Sequence, residues 1–370
     1  MNSTSNGFHM IRSIDIKNFR CYKHLHIDDC KRINVIVGDN GTGKTALLEA
    51  IFMGLSASTE LAVRLRQQRG LDGIFNANQR VIENAIFSDY FYNNDTSNPI
   101  VIALDGDGQD NRTLTISRGR SETFLPFPKG AASTTPMMDE IVTSPFTFVW
   151  RDAQGDERKA SPSIKASGMQ LPSTGEDLPD FFMIPATAMI SSVEIAGRFS
   201  ELSKAGKQKK FIQIFTKEYN WLDDLAIEVT AGSPALYAKL KESPHKIPLA
   251  NLSSGINRVV GILLIIAARS RSVVFIDEIE SGIYYAHQRQ LWRNVLEFVR
   301  EYESQLFITT HSKETLEALV SVLGKKTKDV ALWRHERDED GKINLLPFMG
   351  ETLVAGIKHN VEVRGEPIDD

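Results

Sequence analysis

Between the apolar run Ile33-Asn34-Val35-Ile36-Val37 and a helix-spaced stretch ending at Leu55 lies Gly38-Asp39-Asn40-Gly41-Thr42-Gly43-Lys44-Thr45. Every fixed position of G-x-x-x-x-G-K-[ST] is filled. Glycines at these places let backbone N–H groups turn inward around phosphate oxygens, where a side chain would intrude. Asn40, Gly41, Thr42 and Gly43 then form the cradle, Lys44 reaches β- and γ-phosphates, and the Thr45 hydroxyl serves magnesium. A helix starting beside Lys44 adds its positive end. Leu48, Ile51, Phe52 and Leu55 recur at helical spacing, so one face packs on a sheet. Strand, glycine loop and helix in this order predict an α/β P-loop fold that takes Mg2+ with ATP.

The second half of the chain strengthens that expectation. Val273-Val274-Phe275-Ile276 is a buried-type strand ending in Asp277-Glu278. Two adjacent acids beyond a fully apolar run are costly without a positive partner, which a metal–phosphate group supplies. Asp277 would hold magnesium, directly or through water, and Glu278 would polarise an attacking water. Strands such as QLFITT alternate with helical patterns such as AHQRQLWRNVLEFVREY and KETLEALVSVL, which predicts a mainly parallel sheet. DVALWRHERDEDGKINLLPF reads as a hairpin turning at Asp340-Gly341. That turn is the expected explanation of Asp338-Glu339-Asp340, since the 30 residues that follow are expected to be too few to complete a Toprim domain around them.

The rest of the chain mainly excludes. At 370 residues it forms one large domain or two ordinary ones. Lysine plus arginine number 43 against 47 acids, a net −4 that argues against a basic coat while leaving a local basic groove open. Cys21 and Cys30 fit neither a disulfide framework nor a zinc site, so a reducing compartment is expected. The longest apolar run, Val259–Ala268, is half of the roughly 20 residues a membrane span needs. Arg258 and Arg269 bracket it, so it is expected to be a buried helix of a cytoplasmic protein. The polar start, residues 1–10, is expected to be a flexible tail with no signal peptide.

The expected head covers 11–370, with 60–246 as an inserted helical and β lobe and 247–370 completing the nucleotide core. Within the lobe, AVRLRQQRG reads as helix, IVIALDGDG and RTLTISRG as paired strands, and FTFVW as a short strand among long loops. Residues 193–225 read as helix, with Lys204, Lys207, Lys209 and Lys210 on a solvated face.

Leu252-Ser253-Ser254-Gly255 lies just before the buried helix, with Ser253 24 residues before Asp277; His311 follows Asp277 by 34 residues, in Thr309-Thr310-His311-Ser312. Taken singly, Ser253 is also a plausible helix cap and His311 a plausible core hydrogen-bonder. The order P-loop, L-S-x-G, apolar-D-E, T-T-H-S resembles the ABC-type AAA ATPases, in particular the SMC/RecF/OLD branch. The resemblance implies a two-lobed head, with a mixed sheet and a helical lobe, that closes as a homo-oligomer (a dimer or higher) around ATP. Ser253, Ser254 and Gly255 of one copy then cap the γ-phosphate held by another, and His311 senses that phosphate. Ser254 stands where the family has its first signature glycine. The opening IKNFR resembles SMC and RecF heads, making Arg20 a candidate phosphate or ribose contact. IDEIESGIYYAHQRQLW, with EVRG at 362–365, resembles the stand-alone ATPases of two-gene anti-phage systems such as PARIS. A separate effector protein such as a nuclease is the partner this implies; the RecF likeness makes DNA the alternative partner. Neither long coiled coils nor a membrane segment is present.

Overall fold

The Ile33–Gly38 strand is buried at every position, a pattern that fits a parallel strand covered on both faces. In the computed structural model, which describes residues 10–69, 87–107, 111–119, 142–143, 146–165, 168–173, 180–186, 190–324, 326–338 and 341–358, it lies inside a six-stranded sheet. The order is Phe181–Ile184, Val273–Ile276, Gln305–Thr309, Ile33–Gly38, Val330–Arg337, Ile343–Met349. The first five run parallel and the last is antiparallel. The loops that carry chemistry, after Gly38, Ile276 and Thr309, therefore all leave the same edge of the sheet, where open α/β sheets bind ligands.

The chain divides into two compact units, one holding 29–48 and 179–370 and the other 11–28 and 49–178. This differs from the expected 60–246 lobe. Helices Ser192–Lys204 and Gln208–Glu218 have no core of their own. Their Ile195, Phe199, Leu202, Phe211 and Phe215 enter the apolar cluster that also holds the Ser254–Ala268 helix and the parallel sheet. Conversely, the opening strand Ile11–Phe19 pairs with Ile100–Gly106 in the second unit, whose six-stranded sheet is antiparallel throughout.

Val259 to Ala267 is buried without interruption, as a core helix requires, and among the described residues no helix is long and apolar enough to cross a membrane. The Gln288–Tyr302 helix buries Leu291, Trp292, Val295, Phe298 and Val299 along one face, each worth roughly 1.5–3 kcal/mol over exposure. Trp292 Nε1 also donates to the Thr315 carbonyl at 3.0 Å.

Helix was expected through residue 225, but Leu222–Thr230 is a strand paired with Ser233–Leu240. Ala231 and Gly232 make its turn at positive φ (51° and 82°). Lys204, Lys209 and Lys210 are exposed, as expected of a solvated face, and Lys210 pairs with Glu301 at 3.4 Å. Lys207, expected on the same face, is half-buried, donates to Ser270 at 3.1 Å and lies over the Tyr302 ring. Val330–Arg337 and Ile343–Met349 form the expected hairpin, and the Asp338 carboxylate accepts from the Lys342 N–H at 2.7 Å to close it. Residues 1–9 and 362–365 lie outside the described residues.

Candidate nucleotide site

The Lys44–Leu55 helix begins directly after the glycine loop, so its unpaired N–H groups face the loop. Gly41 and Gly43 take φ of +77° and +93°, and Gly38 takes +141°. At Gly38 a methyl group would meet the His335 carbonyl at 2.7 Å and the His335 Cβ at 2.8 Å. The glycine is required there by close approach of the neighbouring strand. Lys44, 6% exposed, donates to the carbonyls of Gly38 and Asp39, both at 2.7 Å. Burial lowers its pKa to about 8, against the opposing pull of Asp277, Asp39, Glu278 and Glu280. A phosphate beside it would favour the ammonium form.

Thr45 Oγ1 donates to Asp277 at 3.2 Å. Thr309 Oγ1 donates to the same carboxylate at 2.6 Å and accepts from the Glu278 N–H at 2.8 Å. The hydroxyl of the phosphate loop, both acids and the next strand are thus joined by one hydrogen-bond chain. Glu278 sits at φ 48°, sparsely populated for a residue with a side chain. Such local strain is characteristic of functional positions. His311 Nε2 lies 3.5 Å from Glu278 Oε1, with both side chains over a third exposed.

The donor set fits magnesium. Among the described residues no cluster of three or more His, Cys, Asp or Glu is disposed to hold a metal by itself. Magnesium commonly takes one or two protein oxygens beside phosphate and water, and Thr45 with Asp277 supplies these.

Ser253 begins the Ser254–Ala268 helix as its N-cap but makes no side-chain cap bond. Ser253 and Ser254 are exposed. Gly255 packs against the turn after the paired acids, where an added methyl would lie 3.1 Å from the Gly282 carbonyl. Three residues on, Arg258 donates to the Glu278 carbonyl at 3.2 Å. Burial lowers the Arg258 pKa, and Glu278, Glu280 and Asp277 oppose that shift.

Arg20 belongs to the other unit. Its guanidinium pairs with buried Glu49 at 2.7 Å and lies over the Tyr90 ring at 4.4 Å. Arg69 also pairs with Glu49, at 2.7 and 2.9 Å. A phosphate contact by Arg20 would have to draw it from that carboxylate.

Sequence reasoning missed His335, Glu280 and the structural part of Thr309. His335, 1% exposed, shares a hydrogen bond at 3.1 Å between its Nδ1 and the Thr42 carbonyl. Its strand position opposite Gly38 follows only from pairing. Glu280 was visible as the second glutamate of the D-E-x-E run, without a role attached.

Fold and site together define an ABC-type P-loop head. The chain matches the family described as "AAA domain, putative AbiEii toxin, Type IV TA system" over residues 33–317, and it belongs to that family of AAA ATPase domains. It is 24% identical over 336 residues to a protein of Helicobacter pylori named ATP/GTP phosphatase, covering 86% of this chain and 89% of that one. RecF of Oenococcus oeni is 51% identical, but over 43 residues, 12% of each chain. Among solved structures, an SMC head bound to the C-terminal winged-helix domain of ScpA superposes with a TM-score of 0.50 at 13% identity, covering 92% of this chain and 98% of that one. That likeness shows the fold.

Proposed function

We propose that this chain binds Mg2+-ATP and hydrolyses it at a site completed by a second copy, so that nucleotide state sets assembly. The observation that carries the reading is the hydrogen-bond chain from Thr45 through Asp277 and Thr309 to the Glu278 N–H. It ties the glycine loop to Glu278, the acid that would handle the attacking water in this reading. Glu278 accepts a hydrogen bond from the attacking water and takes its proton as oxygen bonds to the γ-phosphorus. The bond to the bridging oxygen breaks and ADP leaves. Lys44 offsets charge on the departing and transferring oxygens, and His311, beside Glu278, senses whether the γ-phosphate is present. Thr45 and Asp277 would hold magnesium, which when bound would supply positive charge against the phosphate oxygens. The exposed Ser253 and Ser254, with Gly255, cap the γ-phosphate of the other copy.

Mass measurement by light scattering with and without Mg2+-ATP, paired with phosphate release, tests this. Wild type should release phosphate, Glu278→Gln should accumulate as an ATP-held larger species, and Lys44→Ala should do neither. A wild type that neither releases phosphate nor changes mass overturns the reading.

The family description reads "putative AbiEii toxin, Type IV TA system". The use we propose for the engine, carried by the likeness of the IDEIESGIYYAHQRQLW stretch to anti-phage ATPases, is control of a separate effector protein in anti-phage defence. The RecF likeness favours a second reading, an ATPase that grips DNA for repair. ATP-dependent DNA binding that weakens steeply with salt would select it.

A further inference from the structure

Glu280 lies outside the reacting groups yet organises them. Its Oε1 accepts from two consecutive backbone N–H groups, His311 at 2.9 Å and Ser312 at 3.2 Å. Its Oε2 is buried without a hydrogen-bond partner. A buried carboxylate oxygen left so costs free energy, and the arrangement persists because the other oxygen does two jobs. It receives the end of the Gln305–Thr309 strand, and it holds the N–H of Ser312, the residue from which the Lys313–Leu323 helix begins. The turn that bears Glu280 is itself fixed. The Ile279 N–H donates to the Thr309 carbonyl at 3.2 Å, and the Ile283 N–H to the Glu280 carbonyl at 2.9 Å. Arg258 donates to the Glu278 carbonyl from the helix behind that turn.

The geometry points to Glu280 as a positioning residue: by gripping the His311 and Ser312 amides it sets the His311 imidazole against Glu278, and so sets the rate of hydrolysis without touching nucleotide. The hydrolysis part rests on the function proposed above; the positioning part does not. Glu280 matters through an acceptor oxygen, so glutamine, which keeps one, should serve and leucine should not.

The test compares Glu280→Leu with Glu280→Gln. Leucine should lower kcat roughly 10- to 100-fold, the scale of a displaced catalytic group, with ATP affinity within about threefold because the phosphate loop is untouched. Glutamine should recover most of the lost rate. Equal losses in both variants, or a leucine variant at the wild-type rate, overturn the proposal. A wild type without hydrolysis fails the function proposed above instead, and the imidazole signal of His311 then decides. In 15N-histidine spectra, Glu278→Gln should move that signal when Glu280 is present and leave it still in Glu280→Leu. Equal movement in both backgrounds overturns the proposal, as does a leucine variant that misfolds while Glu280→Gln leaves His311 insensitive to Glu278.

Discussion

Lys44 and His335 are two bases buried beside one loop, and burial pushes both toward neutrality, to about 8 and about 4. For His335 the neighbouring Lys44 charge adds to the push, while the hydrogen bond at the Thr42 carbonyl opposes it. The folded chain therefore keeps His335 neutral down to about pH 4, whereas an unfolded one protonates it near 6.5. Between those values the unfolded state binds more protons, so stability falls as pH drops through the window. At 1.36 kcal/mol per unit, the full loss from 6.5 to about 4 is roughly 3 kcal/mol. Urea unfolding at pH 7 and pH 5 should show wild type losing roughly 2 kcal/mol more than His335→Asn, which has no proton to take up. Equal losses would mean that the imidazole is charged or hydrated where it lies.

Two serines begin helices next to the site, and the elements use them differently. Ser312 caps the Lys313–Leu323 helix, its Oγ accepting from the Thr315 N–H at 3.0 Å. Ser253 caps the Ser254–Ala268 helix in backbone only. Ser312→Ala should cost about 1 kcal/mol in thermal unfolding and Ser253→Ala only a few tenths; the reverse order would show that Ser253 serves its own fold. This contrast also marks what was legible in the sequence. The phosphate loop, the paired acids and the T-T-H-S strand end could be read because each is a local pattern whose chemistry restricts residue choice. Their convergence at one sheet edge followed from the alternation of strands and helices. Domain limits could not be read, because residues 190–246 are assigned by which apolar side chains meet, as Phe199, Phe211 and Phe215 do in the main core. The strand at Leu222–Thr230 escaped for a related reason. Its buried positions, Leu222 and Leu225, stand three apart as on a helix, and not two apart as strand alternation requires. His335 was hidden because a histidine at a strand position carries no sign of the loop across from it.

At the scale of the whole molecule, the question is whether the exposed Ser253 face serves the same copy or another. Symmetry offers a decisive arrangement. In a two-fold assembly each site takes its phosphate loop from one copy and its Ser253 from the other, so damage to the two elements sorts by partner. Lys44→Ala alone and Ser253→Arg alone leave no intact site in their own homodimers. When one copy carries each change, both lesions fall in one of the two sites, and the other combines an unaltered Lys44 with an unaltered Ser253. Random mixing makes about half of the dimers mixed, each with one working site, so phosphate release should return to about a quarter of the wild-type rate. Rescue should also require nucleotide-driven contact, and so should fade on dilution below the dimer's dissociation constant. Each parent remaining inactive while the mixture recovers would place Ser253 in the partner's site. A mixture as inactive as its parents would place the serine and the phosphate loop in the same copy, and would turn the exposed helix start toward some other partner.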